Sequence, residues 1–139
     1  MSLTVQQIDS NYIDQVFPVV KSFIAAGLEN TDSCTVEDAK AFLERGDWQL
    51  LVAFDEKNVI SGAYVTTYNY EPAGKIAIII SAGGKGLASQ EVFEQACNIF
   101  KSFGAIKVQA LASDSGARLF NRVGLKKKAN LVEKTLWAE

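Results

Sequence analysis

Lys75-Ile-Ala-Ile-Ile-Ile-Ser-Ala-Gly-Gly-Lys-Gly86 is the stretch that decides the fold. Its first half contains the run Ile76–Ile80, which is apolar at every position, as expected of a central strand buried on both faces. Its second half places glycine at Gly83, Gly84 and Gly86, directly before an amphipathic helix. A strand, a cluster of glycines and a helix together predict a strand-to-helix turn whose backbone can approach a ligand closely.

Downstream of the glycines the sequence alternates between helix and strand. Apolar residues at helical spacing predict a long helix from Leu87 to Phe103, and Ala105–Leu111 has the pattern of a strand. We expect the strands before and after this helix to lie parallel, joined by a right-handed crossover. A short helix capped by Asp114 or Ser115 follows, and Leu125–Trp137 is expected to form one or two closing strands.

Upstream of the decisive stretch the chain predicts an antiparallel meander. Trp48–Phe54 and Val59–Tyr70 are rich in apolar and strand-favouring residues, and a short polar turn separates them. A second short turn leads into the strand Lys75–Ser81. Turns of this length join antiparallel neighbours, and Gly62 marks an expected bulge.

The N-terminal part supplies one strand and two helices. Leu3–Ile8 alternates like a short strand, and apolar residues recur at helical spacing from Ile13, with Pro18 as an expected kink or break. We expect a loop over residues 27–33. Thr35 then has the position of an N-cap for a second helix with an acidic first turn.

Composition bounds the size and the chemistry of the protein. The chain has 139 residues, 48% hydrophobic and 22% charged, which suits one domain spanning 1–139. The formal net charge is −2, so no overall basic field favours nucleic acid. No apolar run has the length of a membrane span, so we expect a cytoplasmic protein without a membrane partner.

Histidine is absent, and the two cysteines are Cys34 and Cys97. Without histidine the chain can use neither Ser–His nor Cys–His catalysis, nor histidine-ligated metals. The cysteines lie far apart and form neither a C-x-x-C pair nor zinc-ligand spacing. No metal site is therefore predicted.

The order and length of these elements resemble the GNAT N-acetyltransferases over nearly the whole chain. The resemblance implies an α/β (α+β) domain with a mixed, mostly antiparallel twisted sheet and about four helices. In that family the main motif follows the fourth strand: glutamine or arginine, two residues, glycine, one residue, then glycine or alanine. Here the two motif glycines are present as Gly84 and Gly86, and Ser81 replaces the glutamine or arginine.

The glycine stretch is accordingly the predicted acetyl-CoA site. A helix N-terminus exposes unpaired N–H groups with partial positive charge, and glycine lets a phosphate approach them. The alternative is a turn that merely needs glycine, although three glycines in four residues exceed what a turn requires. The expected coenzyme contacts come from the strand end, the loop and the two later helices: Ile80, Ser81, Gly83, Gly84, Lys85, Gly86, Leu87, Ser89, Ser113 and Phe120.

The last helix carries the second part of the resemblance. The family often has an asparagine there, followed by a leucine-tyrosine pair whose tyrosine protonates the coenzyme A thiolate. Ser113 takes the place of the asparagine, and Leu119-Phe120 takes the place of the pair. Because phenylalanine cannot donate a proton, the resemblance leaves the role of general acid vacant.

Acetyl transfer to an amine needs a polarised thioester carbonyl and an uncharged amine. The resemblance implies a backbone N–H on the fourth strand as the polarising group, supplied by Ile80 or Ser81. The glutamate that the family often carries there is missing. The remaining candidate bases are one acid and three tyrosines: Glu71, Tyr64, Tyr68 and Tyr70. Since an ordinary tyrosine pKa is about 10, an α-amino acceptor, with a pKa of about 7.7 to 8.0, suits this set better than a lysine.

Three functions stay open at this point. The first is an acetyl-CoA-dependent N-acetyltransferase that acts by direct transfer on a small-molecule or peptide amine, with a homodimer as the expected assembly. The second is a non-catalytic GNAT-like module that binds acyl-CoA or a protein partner. The chain also resembles short GNAT-like proteins of tailed bacteriophages, some of which act in virion assembly.

The third function is dinucleotide binding, because Gly84–Ser89 nearly fits the pattern G-x-G-x-x-G. Ser89 replaces the last glycine of that pattern, and no acidic residue ends a strand about 20 residues later, as the fingerprint asks. The residues after the loop, about 50 in number, are too few for a doubly wound sheet. This interpretation is therefore the least favoured of the three.

Overall fold

The computed structural model describes residues 2–29 and 33–137, and five strands of this part form one sheet. The strands are β1 (Thr4–Ile8), β2 (Gln49–Phe54), β3 (Ile60–Glu71), β4 (Gly74–Gly84) and β5 (Ala105–Ala110). They lie side by side in that order, antiparallel except for β4 and β5, which are parallel. The mixed, mostly antiparallel sheet confirms the predicted class and excludes the doubly wound parallel sheet of a dinucleotide-binding domain.

Four α-helices and one 3-10 turn complete the described residues. The helices are α1 (Ile13–Gly27), α2 (Val36–Glu44), α3 (Gln90–Ser102) and α4 (Asp114–Arg122), and the turn is Ser10–Tyr12. One core layer lies between the sheet and α1 with α2; the other lies between the sheet and α3, joined by the end of α4. Apolar residues on both faces of β2, β3 and β4 explain why the sheet is covered twice.

Of the two N-terminal helices, α2 begins at its predicted cap, whereas α1 continues through a proline that was expected to interrupt it. Thr35 caps α2 as predicted: its hydroxyl accepts a hydrogen bond from the Asp38 N–H, and the Asp38 carboxylate accepts one from the Thr35 N–H. Helix α1 runs through Pro18 without the expected break and continues to Gly27. The missing N–H of proline costs one hydrogen bond, and burial of the flanking Phe17 holds the helix on the sheet. Part of the loop predicted over 27–33, residues 30–32, lies outside the described residues.

The C-terminal prediction is wrong. Residues 125–137 contain no strand, although closing strands were expected there. A strand is stable only with a paired neighbour, and this segment pairs with none of the described strands. Leu125 still packs against the core, but four large apolar side chains after it are 66 to 89% exposed: Leu131, Val132, Leu136 and Trp137.

Candidate active site

A β-bulge interrupts β4 in its C-terminal half. Across the β3–β4 pair, Val65 faces Ser81 and Thr66 faces Ile79, so Ile80 is the extra residue with no partner. A bulge bends the strand, strengthens its twist and turns the backbone of the extra residue out of the regular ladder. The backbone of Ile80 therefore leaves the ladder at one of the two residues whose N–H was expected to polarise the thioester carbonyl.

Strands β4 and β5 part next to this bulge. Their last paired residues are Ile79 and Ala110; β5 ends there, whereas β4 continues for five more residues to Gly84. The edge of β4 that paired with β5 is thus without a strand partner beyond Ile79. Backbone N–H and C=O groups on such an edge can pair with amide groups of a ligand. Within the part of the chain that the structure describes, the unpaired edge of β4 over residues 80–84 thus lies between the bulge and the glycine loop.

Residues 83–88 connect β4 to α3 and contain the predicted phosphate loop. The strand extends further than predicted, so that Gly83 and Gly84 still pair with β3 and the loop proper begins at Lys85. The helix predicted from Leu87 begins at Gln90, so Ser89 is its N-cap. The Ser89 hydroxyl accepts a hydrogen bond from the Val92 N–H. Its O–H remains able to donate to a ligand.

The N–H groups of the loop are free at three consecutive positions. Within residues 2–29 and 33–137, no oxygen accepts a hydrogen bond from the N–H of Gly86, Leu87 or Ala88. The first-turn amides of α3 lie immediately beyond them and carry the partial positive charge of a helix start. The loop is therefore a row of unsatisfied donors of the kind that binds a pyrophosphate.

Lys85 differs from its predicted role in one respect. Its N–H donates to the carbonyl oxygen of Ser61 on β3 at 2.9 Å, so this amide is already used. The Lys85 side chain is exposed and remains available to place a positive charge beside an anion. The free amides thus begin at Gly86, three residues after Gly83, the first loop residue that the sequence predicted as a contact.

Packing requires two of the glycines independently of any ligand. A Cβ on Gly83 would overlap a carbonyl oxygen of α1, and a Cβ on Gly84 would overlap the backbone of Ser61. A Cβ on Gly86 would meet only the end of the flexible Leu3 side chain, at 2.6 Å. Gly86, with a φ of 86°, is therefore the glycine whose conformation mainly serves the loop.

The side chain of Ser81 is buried against α1. It is 2% exposed, and its hydroxyl donates to the carbonyl oxygen of Ile24 in α1 at 3.0 Å. The side chain thus fastens β4 to α1 at the bulge, and only the backbone of Ser81 can act on a thioester.

Two of the four candidate bases, Glu71 and Tyr70, lie at the hairpin end of β3, far from the bulge. Glu71 pairs with Gly74 and Tyr70 with Lys75, at the β3–β4 hairpin. Ile80 lies six residues after Gly74 along β4, which corresponds to about 20 Å at about 3.3 Å per residue. Because proton transfer needs hydrogen-bond contact or one bridging water, neither residue can act directly at the bulge. The register between β3 and β4 thus separates these two candidates from Ile80.

The other tyrosines of β3 are also unsuited to act as bases. The Tyr64 hydroxyl donates to the Leu87 carbonyl oxygen at 3.1 Å, and the Tyr68 hydroxyl donates to the Gln49 side-chain oxygen at 2.8 Å. Burial raises the pKa of both hydroxyls above the ordinary tyrosine value. A raised pKa makes the neutral form more persistent, so neither side chain is ionised near neutral pH.

Helix α4 follows β5 directly and carries the last two predicted contacts. Ser113, rather than Asp114 or Ser115, is its N-cap, and the Ser113 hydroxyl accepts a hydrogen bond from the Gly116 N–H at 3.2 Å. Phe120 is half-buried and packs against the core layer on the α3 side. Ser113 thus lies just beyond the point where β4 and β5 separate, whereas Phe120 presents a ring without a proton to donate.

Three residues of β3 have roles at the site that sequence reasoning missed, although it named Tyr64 as a candidate base. Ser61 and Tyr64 hold the loop through the contacts given above. Thr66 lies opposite Ile79 beside the bulge, is fully buried, and its hydroxyl has no hydrogen-bond partner within the described residues. No signal in the sequence pointed to these roles, because they depend on the register between β3 and β4.

Two further features of the described residues bear on the predicted partners. None of the helices has the length and apolar character needed to cross a membrane. No group of three or more histidine, cysteine, aspartate or glutamate residues is arranged to hold a metal ion.

Comparison with solved structures places this geometry in a known fold. The chain is similar to an aminoglycoside acetyltransferase from an uncultured soil metagenomic sample, solved with sisomicin, at a TM-score of 0.71 and 13% identity, covering 99% of this chain and 97% of that one. It is similar to a predicted acetyltransferase from Clostridium acetobutylicum, solved with acetyl-CoA, at a TM-score of 0.67 and 13% identity, covering 97% of each chain. It is also similar to a GNAT family acetyltransferase from Staphylococcus aureus, at a TM-score of 0.66 and 14% identity, covering 98% of this chain and 100% of that one.

The likeness lies in the fold and not in the sequence. No protein-family model matches the chain, and no curated protein sequence matches it. The described chain therefore has the fold of the GNAT acetyltransferases, as the element order and the loop glycines predicted.

Proposed function

We propose that this chain is a single acyl-CoA-binding domain over residues 1–139 and an N-acetyltransferase that transfers the acetyl group of acetyl-CoA directly to an amine. The observation that carries the proposal is the succession of three features along β4 and the loop after it: the bulge at Ile80, the end of the pairing between β4 and β5, and the free amides of Gly86 to Ala88. Each feature alone has a structural explanation. Their order along the chain suits a ligand with a pyrophosphate, an amide-bearing arm and a thioester.

The residues present fit acetyl-CoA. The free loop amides and the Lys85 ammonium would hold the pyrophosphate, with the Ser89 hydroxyl as a further donor. The unpaired edge of β4 beyond Ile79 would pair with the amides of the pantetheine arm. When bound, the coenzyme supplies an acetyl group activated as a thioester.

The chain's own contribution to the step is position and polarisation. The backbone of the bulge at Ile80 would donate to the carbonyl oxygen as it gains negative charge. The amine nitrogen would form the new bond to the carbonyl carbon and lose a proton to solvent, while the carbon–sulfur bond breaks and coenzyme A leaves as a thiolate. Solvent would return a proton to the thiolate, because Phe120 has none to donate.

The lack of a base at the bulge bears on the acceptor. Residues 74–84 include no aspartate or glutamate, and Glu71 lies about 20 Å away along the sheet. An amine that is partly neutral at physiological pH needs no strong base. An α-amino group, with a pKa of about 7.7 to 8.0, meets this condition, whereas a lysine side chain near 10.4 does not.

The test is release of free coenzyme A thiol from acetyl-CoA in the presence of α-amines, matched amines blocked at the α position, and an aminoglycoside. We expect turnover with free α-amines and none with the blocked controls. Below the pKa of the amine the rate should rise about tenfold per pH unit, because only the neutral amine reacts. A rate that is independent of pH between 6 and 7.5 would contradict a mechanism without a base.

A second candidate function is supported by Phe120 and by the exposed C-terminal segment. A GNAT-like module that binds acyl-CoA or a protein without turnover needs no general acid, and exposed apolar residues favour association with a second copy or another protein. Such a module would bind acetyl-CoA but release no thiol with any acceptor. The same assay therefore separates the two functions.

A further inference from the structure

All three carbonyl groups behind the free amides of the loop are anchored. The hydroxyl of Ser61 donates to the Lys85 carbonyl at 3.4 Å, the N–H of Ser89 donates to the Gly86 carbonyl at 3.2 Å, and the hydroxyl of Tyr64 donates to the Leu87 carbonyl at 3.1 Å. These carbonyls belong to the same peptide units as the N–H groups of Gly86, Leu87 and Ala88.

Anchoring a carbonyl fixes the direction of its N–H. In a trans peptide unit the C=O and the N–H point in opposite directions, and the unit is rigid. The described chain contains no cis peptide bond. A carbonyl held towards β3 or α3 therefore turns the following N–H away from that support.

Among the three anchors, Tyr64 is the one that belongs to the core. It is 1% exposed, its ring contacts Phe93 of α3 edge-on at 6.4 Å between centroids, and its hydrogen bond spans 23 residues of sequence. Two residues earlier on β3, a Cβ on Gly62 would lie 2.9 Å from the Leu87 side chain. The site of Leu87 is thus fixed by a hydrogen bond on one side and by close packing on the other.

We propose that Tyr64 is a positioning residue for coenzyme binding: by holding the Leu87 carbonyl in the core, it aims the Ala88 N–H at the pyrophosphate before the ligand arrives. The inference rests on the proposed function of the loop. It gives a role in binding to a buried hydroxyl that the acetyl transfer does not use, and phenylalanine would keep the ring in the same space.

The variant Tyr64→Phe removes the hydrogen bond and keeps the ring. Tyr68→Phe is the matched control, because it removes a tyrosine hydrogen bond of similar length from the same strand, directed at Gln49 rather than at the loop. The probes are acetyl-CoA and S-acetyl-pantetheine, which shares the arm and the thioester but has no pyrophosphate. Kd is measured for both by NMR titration, which follows weak as well as tight binding.

We expect Tyr64→Phe to raise the Kd for acetyl-CoA about three- to tenfold, as loss of one hydrogen bond that aims a donor requires. The Kd for S-acetyl-pantetheine should stay within about twofold in the same variant, and Tyr68→Phe should change neither value. A Tyr64→Phe protein that binds acetyl-CoA like the wild type, or that loses affinity equally for both probes, overturns the inference.

A second variant keeps the test valid where Tyr64→Phe fails to fold. Gly62→Ala leaves the tyrosine in place and presses on Leu87 from the other side, and the backbone at Gly62 has no positive φ that would strain alanine. It should raise the Kd for acetyl-CoA and leave the Kd for S-acetyl-pantetheine unchanged. An equal rise in both Kd values, or no rise in either, overturns the inference. A wild-type protein that binds no acetyl-CoA removes the proposed function as well, whereas wild-type binding with unselective variants removes this inference alone.

Discussion

The two motif glycines should respond differently to the same small change. Alanine at Gly84 must adopt a φ near 110° while its Cβ overlaps the backbone of Ser61, so the strand pair itself has to move. Strain and overpacking together cost about 3 kcal/mol or more. Alanine at Gly86 meets only the tip of the Leu3 side chain, and its cost is mainly that of a positive φ, about 1 to 2 kcal/mol.

The matched control is Gly46→Ala at the end of α2. Gly46 has a φ of 79°, close to the 86° of Gly86, and the nearest atom to its added Cβ is 4.0 Å away. It should therefore cost the same positive φ without touching the loop. For a domain of this length, 1 kcal/mol corresponds to about 3 °C in Tm. We expect Tm to fall by about 3 to 7 °C in Gly46→Ala and Gly86→Ala and by about 10 °C or more in Gly84→Ala.

Coenzyme affinity should distinguish Gly86→Ala from its control Gly46→Ala, although the two should lose the same amount of stability. Gly86→Ala should raise the Kd for acetyl-CoA by about tenfold or more, because relief of the strained φ turns a donor of the cradle aside. Gly46→Ala should bind like the wild type. The measurements are thermal unfolding and calorimetric titration on the same samples. Wild-type affinity in Gly86→Ala would refute the assignment of the loop, and equal stability of Gly84→Ala and Gly46→Ala would refute the packing argument.

Three further changes test other parts of the account. Phe120→Tyr should raise kcat by about tenfold or more by supplying the missing proton donor, and an unchanged kcat would show that thiolate release is not limited by a proton. Glu71→Gln should leave kcat within about twofold, because its carboxylate lies about 20 Å from the bulge along β4; a large loss would return Glu71 to the site. Above about pH 10 the free energy of unfolding should fall, since burial raises the pKa of Tyr64 and the folded protein keeps a proton that the unfolded chain releases. Urea unfolding between pH 9 and 11 should show a decline steeper in the wild type than in Tyr64→Phe, by up to about 1.4 kcal/mol per pH unit, and equal slopes would contradict the role of the buried hydroxyl.

The sequence predicted those features that depend on local pattern. The apolar run at Ile76–Ile80 marked the central strand, the Thr35 cap marked the start of α2, and the glycines marked the turn before α3. Each of these signals lies within a few residues of the structure that it specifies. The relative directions of neighbouring strands then followed from the short turns and from the preference for right-handed crossovers.

The site could be predicted only in part, because its remaining features depend on register. The bulge at Ile80 exists only relative to Val65 and Thr66 on the neighbouring strand, and the distance of Glu71 from it follows from the same pairing. The anchor of Leu87 on Tyr64 joins positions 23 residues apart. The closing strands failed for a related reason: the apolar pattern after position 125 indicates strand propensity, but a strand also needs a neighbour.

The central claim is that the row of free amides at Gly86, Leu87 and Ala88 binds the pyrophosphate of acetyl-CoA. The most direct measurement is the thermal shift of the wild-type protein with acetyl-CoA at 100 times its calorimetric Kd, with NAD as the comparison ligand. We expect acetyl-CoA to stabilise the protein by about 2.7 kcal/mol, or about 8 °C, and NAD to give no shift. No shift with acetyl-CoA, or an equal shift with both ligands, would contradict the account.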